Sequence, residues 1–176
     1  TSALDANTTA SNNVAVGNGA MGSNTTGTRN TAVAAGSGFG WVETDDNVAI
    51  GYDSQNAYNG DKCTSIGVFS LDAAGTGDSN TAVGYAALGA NTTGTGNVAL
   101  GAYASDATTT GDSNVALGSY TLTTNSTGAN NTAVGHAALN DNTTASNNTA
   151  VGYLALYANS GGANNTAIGT TAGDAI

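Results

Sequence analysis

One five-residue pattern, Asn-(Thr/Val)-Ala-(Val/Ile/Leu)-Gly, recurs along the chain of 176 residues at an almost constant spacing. The copies begin at Asn13, Asn30, Asn47, Asn80, Asn97, Asn114, Asn131, Asn148 and Asn165, and a degenerate copy begins at Cys63. Every step is 17 residues long except the step from Asn47 to Cys63, which is 16. Self-similarity at a short fixed period is typical of a solenoid, in which each repeat stacks on the next.

Each repeat forms one rung, numbered here from position 0 at its Asn (or Cys63) to position 16, with rungs 1 to 10 in chain order. Position 3 is always Val, Ile or Leu, and position 1 is always Val or Thr. Such residues at alternate positions favour a short strand that presents both to the same side, which we take as the inside. A turn at position 4, which is Gly in all rungs but one, and a second short strand over positions 5–8 complete the expected rung. The predicted core is Val16, Ile50, Ile66, Val83, Leu88, Leu100, Leu117, Val134, Leu139, Val151 and Ile168.

The sequence therefore predicts an all-β fold, a parallel β-solenoid of about ten rungs. At about 4.8 Å per rung the rod would be roughly 50 Å long. The Asn column at position 0 is expected to form a ladder of side-chain amides, and Asn-Thr-Thr-Gly around positions 11–14 is expected to supply the closing turn.

The distribution of small residues predicts that the chain associates with other chains. Position 2, between two inward positions, is expected to face outwards, and it is Ala in nine rungs. With the small residues at position 7 it would leave two apolar stripes on the surface, which suit the close approach of another chain about the long axis. The predicted interface residues are Ala15, Ala49, Ala82, Ala99, Ala116, Ala133 and Ala150.

Composition excludes several classes of function. The net charge is −10 with only two Lys and Arg residues, which argues against a nucleic-acid partner. A single Cys excludes an intrachain disulfide and a cysteine-rich metal site. No apolar run approaches the ~18–20 residues of a membrane span, so no membrane insertion is expected. Turn aspartates recur in too few rungs for a calcium roll, and we predict neither a metal nor a cofactor.

The stretch Asn80-Thr-Ala-Val-Gly-Tyr-Ala-Ala-Leu88, with its counterparts at Asn131 and Asn148, resembles the head repeats of trimeric autotransporter adhesins. It is still more similar to repeat arrays of bacteriophage tail-fibre proteins. The resemblance covers the whole chain and implies a left-handed parallel β-roll in which three identical chains form one fibre. It further implies an extracellular attachment protein, on a virion or a bacterial surface, with residues 1–176 as one repeat segment of a longer fibre.

Irregular rungs between residues 30 and 62 are the one local feature that suggests a specific contact. They contain the only Trp, the only Glu and an adjacent acidic pair. An outward loop there could bind a host glycan or protein. The candidate receptor contacts are Phe39, Trp41, Glu43, Asp45, Asp46 and Tyr58.

Two other hypotheses for the function remain open. An ice-binding solenoid would present a regular Thr column, and position 13 offers Thr26, Thr76, Thr93, Thr110, Thr127 and Thr144. A glycan-degrading tail spike would need a carboxylate pair in a groove, for which only Glu43, Asp45 and Asp46 are available. No walled cleft is expected on such a rod, so the sequence argues against an enzyme.

Overall fold

Ten three-residue strands form one parallel sheet in the computed structural model, which describes residues 2–174. The strands are β1 (Val14–Val16), β2 (Thr31–Val33), β3 (Val48–Ile50), β4 (Thr64–Ile66), β5 (Thr81–Val83), β6 (Val98–Leu100), β7 (Val115–Leu117), β8 (Thr132–Val134), β9 (Thr149–Val151) and β10 (Thr166–Ile168). Each pairs with the next in the chain, and position 2 always lies beside position 2, as Ala82 does beside Ala99. The all-β solenoid predicted from the repeat is confirmed.

The missing residue of rung 3 does not disturb the sheet. Thr64 pairs with Val48 and Ser65 with Ala49, in the same register as every other pair of strands. The backbone of Gly60 lies against Gly77, and that of Gly77 against Gly94, so the chain regains its register before position 14. The deletion therefore falls in the turn around Asn59, where a shorter loop costs no strand pairing.

The second strand expected over positions 5–8 is absent among residues 2–174, and a chain of turns takes its place. Successive backbone N–H groups there donate alternately to a carbonyl of the same rung and to a carbonyl of a neighbouring rung. In rung 5, Ala87 N–H donates to Gly84 O, whereas Leu88 N–H donates to Ala104 O of rung 6. Leu88 has a φ of 51°. This positive φ is unfavourable for an L residue, and the repeated bonds between rungs compensate for it.

The inside and outside of the strand are opposite to the prediction. The predicted interface residues Ala49, Ala82, Ala99, Ala116, Ala133 and Ala150 are fully buried within their own chain, and Ala15 is half-buried in the first rung. Of the predicted core, only Leu88 and Leu139 at position 8 are buried. The strand residues Val16, Ile50, Ile66, Val83, Leu100, Leu117, Val134, Val151 and Ile168 face outwards and are half-buried or exposed.

The physical reason is the thinness of the interior, in which position 2 faces position 7. Ser65, the one residue at position 2 that is not Ala, shows this directly, because its hydroxyl lies 2.7 Å from that of Ser70 and 2.5 Å from that of Ser54, both at position 7. Only small residues fit on both sides of so narrow a gap. The larger residues, Val or Thr at position 1 and Val, Ile or Leu at position 3, consequently point away from it.

Asparagine at position 0 closes rungs 1, 2 and 5–8 and joins each of them to the next rung. In rung 6, Asn97 Nδ2 donates to Gly111 O at 2.8 Å within the rung, and Asn97 Oδ1 accepts the backbone N–H of Asn114 at 2.9 Å. Bonds of the second kind, 2.8–3.0 Å long, bridge eight of the nine steps between rungs. The predicted ladder is present, but most of its bonds run from side chain to backbone.

We predict that Ala133→Leu destabilises the single chain, because the larger side chain must fit against position 7 across the thin interior. Overpacking of this kind costs about 1–3 kcal/mol. Val134→Leu is the matched control, since position 3 already holds Leu in rungs 6 and 7. The thermal unfolding midpoint should fall for Ala133→Leu and stay near that of the wild type for Val134→Leu; equal midpoints would contradict this assignment of the inward face.

Candidate functional site

Exposed large hydrophobic side chains are concentrated on one side of the rod. Of thirteen such residues between positions 2 and 174 of the chain, eleven occupy positions 1, 3, 5 or 6 of their rungs, and only Phe39 and Val42 lie elsewhere. The exposed fraction is 53% for Leu100 and 59% for Val16. No Asp, Glu, Lys or Arg occurs at positions 1–5 in any rung. We call the outward residues of positions 1 and 3 the sheet face.

An aromatic ladder borders the sheet face at positions 5 and 6. Its seven rings lie in seven consecutive rungs, and their centroids are 5.2–6.0 Å apart from one rung to the next. The rings are Tyr52, Phe69, Tyr85, Tyr103, Tyr120, His136 and Tyr153. Both stacked and edge-to-face pairs occur, so each inner ring packs against two neighbours and stabilises the stack of rungs.

Trp41 is fully buried, which corrects its assignment as a receptor contact. Its ring fills the space that Leu occupies at position 8 in other rungs, since position 8 of rung 2 is Gly38. A Cβ on Gly38 would lie 2.6 Å from Trp41 Cε3. The large side chain at position 11 thus fills the space that the glycine at position 8 leaves empty.

Tyr58 is also fully buried and is likewise not a surface contact. Its hydroxyl donates to Gly77 O at 2.7 Å and accepts from Asn80 Nδ2 and Asn91 Nδ2 at 3.0 and 2.8 Å. Burial is the largest cause of the raised pKa of this phenol. The ring lies among glycines that leave room for it, and a Cβ on Gly75 would lie 2.5 Å from Tyr58 Cε2.

Cys63 explains why rung 4 needs this tyrosine. It stands at position 0, where its thiol lies 3.6 Å from Gly77 O and is a weaker donor than the amide of Asn97, which lies 2.8 Å from Gly111 O. Gly77 O also accepts from the Tyr58 hydroxyl of the preceding rung and from Asn80 Nδ2. The Cys63 thiol is itself buried, and desolvation raises its pKa to about 11, so it remains protonated at neutral pH.

The remaining receptor candidates lie at the surface. Phe39, Glu43 and Asp46 are exposed and Asp45 is half-exposed. Arg29 makes a bidentate pair with Asp46, with Nε and Nη2 donating at 2.5 and 3.0 Å. This hydrogen bond is the main cause of the lowered pKa of Asp46, whereas the pKa of Asp45 is lowered chiefly by hydrogen bonds from Thr28.

The carboxylates of the irregular loop lie at and near an open hollow. An open hollow of about 470 Å³ beside them is lined by Val42, Glu43, Thr44, Asn59 and Asp61, where rung 3 is one residue short. Asp45 and Asp61 are held as backbone caps, since Asp45 Oδ1 accepts from Thr28 N–H and Asp61 Oδ1 from Asp45 N–H. Among residues 2–174 no group of three or more His, Cys, Asp or Glu side chains is placed to hold a metal ion.

Sequence reasoning missed the sheet face as an outward surface. A usable signal was present, because two small columns at positions 2 and 7 can pack against each other inside one chain as well as between chains. Within the same described part of the chain there is no helix long and apolar enough to cross a membrane. No protein-family model, curated protein or solved structure matches the chain.

We predict that Tyr58→Phe lowers the stability of the rod although it removes only one oxygen. The change removes one buried hydrogen bond each from the Gly77 carbonyl and the amides of Asn80 and Asn91, which keep their other partners. A typical intramolecular hydrogen bond contributes about 0.5–1.5 kcal/mol. Tyr153→Phe is the control because that residue is 52% exposed. The midpoint of thermal unfolding should fall for Tyr58→Phe and stay unchanged for Tyr153→Phe. An unchanged midpoint for Tyr58→Phe would show that the Tyr58 hydroxyl does not stabilise the rung of Cys63.

Proposed function

We propose that this chain forms one segment of a homotrimeric, left-handed β-solenoid fibre that acts as a stiff extracellular spacer and attachment surface. The observation that carries the proposal is the sheet face, an uncharged surface with Val, Ile or Leu at position 3 and Val or Thr at position 1, which runs the length of a sheet of ten strands. Continuous apolar surfaces of this kind mark interaction sites, and an interface core is depleted of charge.

Identical chains are the natural partners for such a face. Every rung offers the same two positions at the same spacing, so a parallel copy meets matching residues in every rung. Cyclic symmetry about an axis along the rod closes the assembly and leaves no unpaired interface exposed. The number three and the left-handed coil come from the resemblance to adhesin heads and phage tail fibres, and the interface is now assigned to positions 1 and 3.

The structure supports a mechanical role. Main-chain bonds and Asn side chains connect successive rungs, as the bond from Asn114 N–H to Asn97 Oδ1 illustrates. A chain whose backbone groups are paired in this way offers a protease few extended segments. Charged residues at positions 6, 9, 10, 13, 15 and 16 keep the outer turns hydrated, at a net charge of −10.

The experiment is the molar mass of the folded chain in solution, from light scattering after size exclusion. We expect three chains for the wild type and a loss of the trimer for the double variant Leu100→Glu/Leu117→Glu, which places carboxylates in the middle of the proposed interface. Unpaired buried charges cost about 3–5 kcal/mol each. Thr110→Glu is the control because this exposed threonine lies at position 13, outside the sheet face. A monomeric wild type, or a double variant that stays trimeric, would show the proposal to be wrong.

A second candidate, ice binding, is favoured by a different surface. Thr76, Thr93, Thr110, Thr127 and Thr144 at position 13 are exposed in five consecutive rungs. Parallel strands space such a column at about 4.8 Å. The column ends at Thr76 and Thr144, since rung 3 is one residue short in this turn and rung 9 has Gly161 at position 13.

Thermal hysteresis distinguishes the two candidates. The fibre proposal predicts no hysteresis at any protein concentration at which the chain is folded. A folded monomer that depresses the freezing point, and loses this activity when Thr110 is changed to Glu, would favour ice binding. A trimer without hysteresis would leave the fibre as the better account.

A further inference from the structure

We infer that a pocket at one end of the aromatic ladder binds an uncharged sugar unit of a surface glycan. The pocket spans rungs 1 to 3 and has a volume of about 390 Å³. Small-molecule sites commonly measure about 300–1,000 Å³. Its lining includes Asn18, Gly36, Phe39, Tyr52, Asp53 and Asn56.

The pocket exists because the ladder stops at Tyr52. Positions 5 and 6 hold Asn18 and Gly19 in rung 1 and Ala35 and Gly36 in rung 2, so no ring continues the column there. Tyr52 packs edge-to-face with Phe69 on one side, at 5.8 Å between centroids. Its other side lines the pocket, and the residue is 52% exposed. Gly19 and Gly36 line the pocket without a side chain and so leave room in it.

Phe39 provides a second aromatic wall and is held in place from below. It lies at position 9 of rung 2, packed over the backbone of rung 1, where a Cβ on Gly22 would lie 2.7 Å from Phe39 Cε2. A side chain on Gly22 would displace the ring. With Gly22 in place the ring is fixed, and it remains 47% exposed. A preorganised ring binds at a lower entropic cost than a mobile one.

Polar groups are fixed beside these rings. Asn56 Nδ2 donates to Asp53 Oδ1 at 2.8 Å, which orients both side chains. Gly36 is required for this arrangement, because a Cβ there would lie 1.9 Å from Asp53 Oδ1. The same carboxylate adjoins the Tyr52 hydroxyl and raises the pKa of that phenol, which stays neutral and able to donate.

Rings next to hydrogen-bonding groups suit a pyranose. The weakly positive C–H groups on one face of a sugar ring match the negative face of an aromatic ring. A sugar's hydroxyl groups match the Asp53 carboxylate and the amide of Asn56, which together offer donors and acceptors. Carboxylated or phosphorylated sugars are disfavoured, because no Lys or Arg lines the pocket and Asp53 would repel them.

The test is a glycan array of neutral and acidic oligosaccharides probed with the fluorescently labelled, folded chain. We expect retention on at least one neutral oligosaccharide and none on acidic ones, with half-saturating concentrations raised about tenfold by Tyr52→Ala and by Phe39→Ala. Tyr153→Ala is the matched control, since Tyr153 also lies at position 5 and is also 52% exposed. No retention on neutral oligosaccharides, retention only on acidic ones, or equal binding by Tyr52→Ala and Tyr153→Ala would overturn the site.

The inference rests on the proposed role as an attachment surface, but the two are tested separately. The pocket lies within one chain, whereas the fibre is tested by molar mass. A trimer that binds no neutral oligosaccharide would remove the sugar site and leave the fibre. A monomer that binds a neutral oligosaccharide through Tyr52 would support the sugar site and contradict the fibre.

Discussion

The amide of the asparagine at position 0 is the interaction on which the rest of the rod depends. One side chain satisfies a carbonyl of its own rung and a backbone N–H of the next, so closure of the rung and stacking of rungs are a single event. The interior is too narrow for water to replace either bond, and buried backbone groups that lack a partner are costly. The rung of Cys63 lacks this amide, and there the equivalent carbonyl, Gly77 O, accepts from the Tyr58 hydroxyl and from Asn80 Nδ2.

A narrow interior also determines which residues can be outside. Once small residues at positions 2 and 7 face each other, the alternation of side chains along the strand places the β-branched and aliphatic residues at positions 1 and 3 at the surface. Such a chain buries little of its own large apolar area. The apolar surface that a globular domain hides in its core is here displayed along one side, which is why the proposed function relies on association.

The sequence was sufficient for the repeat, the strand at each rung and the parallel stacking, because these depend on periodicity alone. It was insufficient to determine which side of the strand faces the interior. Alternation separates positions 1 and 3 from position 2 but does not indicate which set is inside. Ala133 and Val134 exchanged their expected places for this reason. The burial of Trp41 and Tyr58 could not be predicted either, because each fills a gap left by Gly38 or Cys63 that only the three-dimensional register brings near.

Regularity and specific recognition place opposite demands on a solenoid. In regular rungs every position repeats, so any surface feature becomes a column and no site is unique. Rungs 2 and 3 depart from the repeat, and within residues 2–174 they leave Trp41 Nε1 and both amide atoms of Gln55 buried without a partner. Such groups reduce local stability. The same departures end the aromatic ladder at Tyr52 and open the pocket beside Phe39. A rod of otherwise repeating rungs tolerates this local cost, since neighbouring rungs on both sides hold the irregular ones in place.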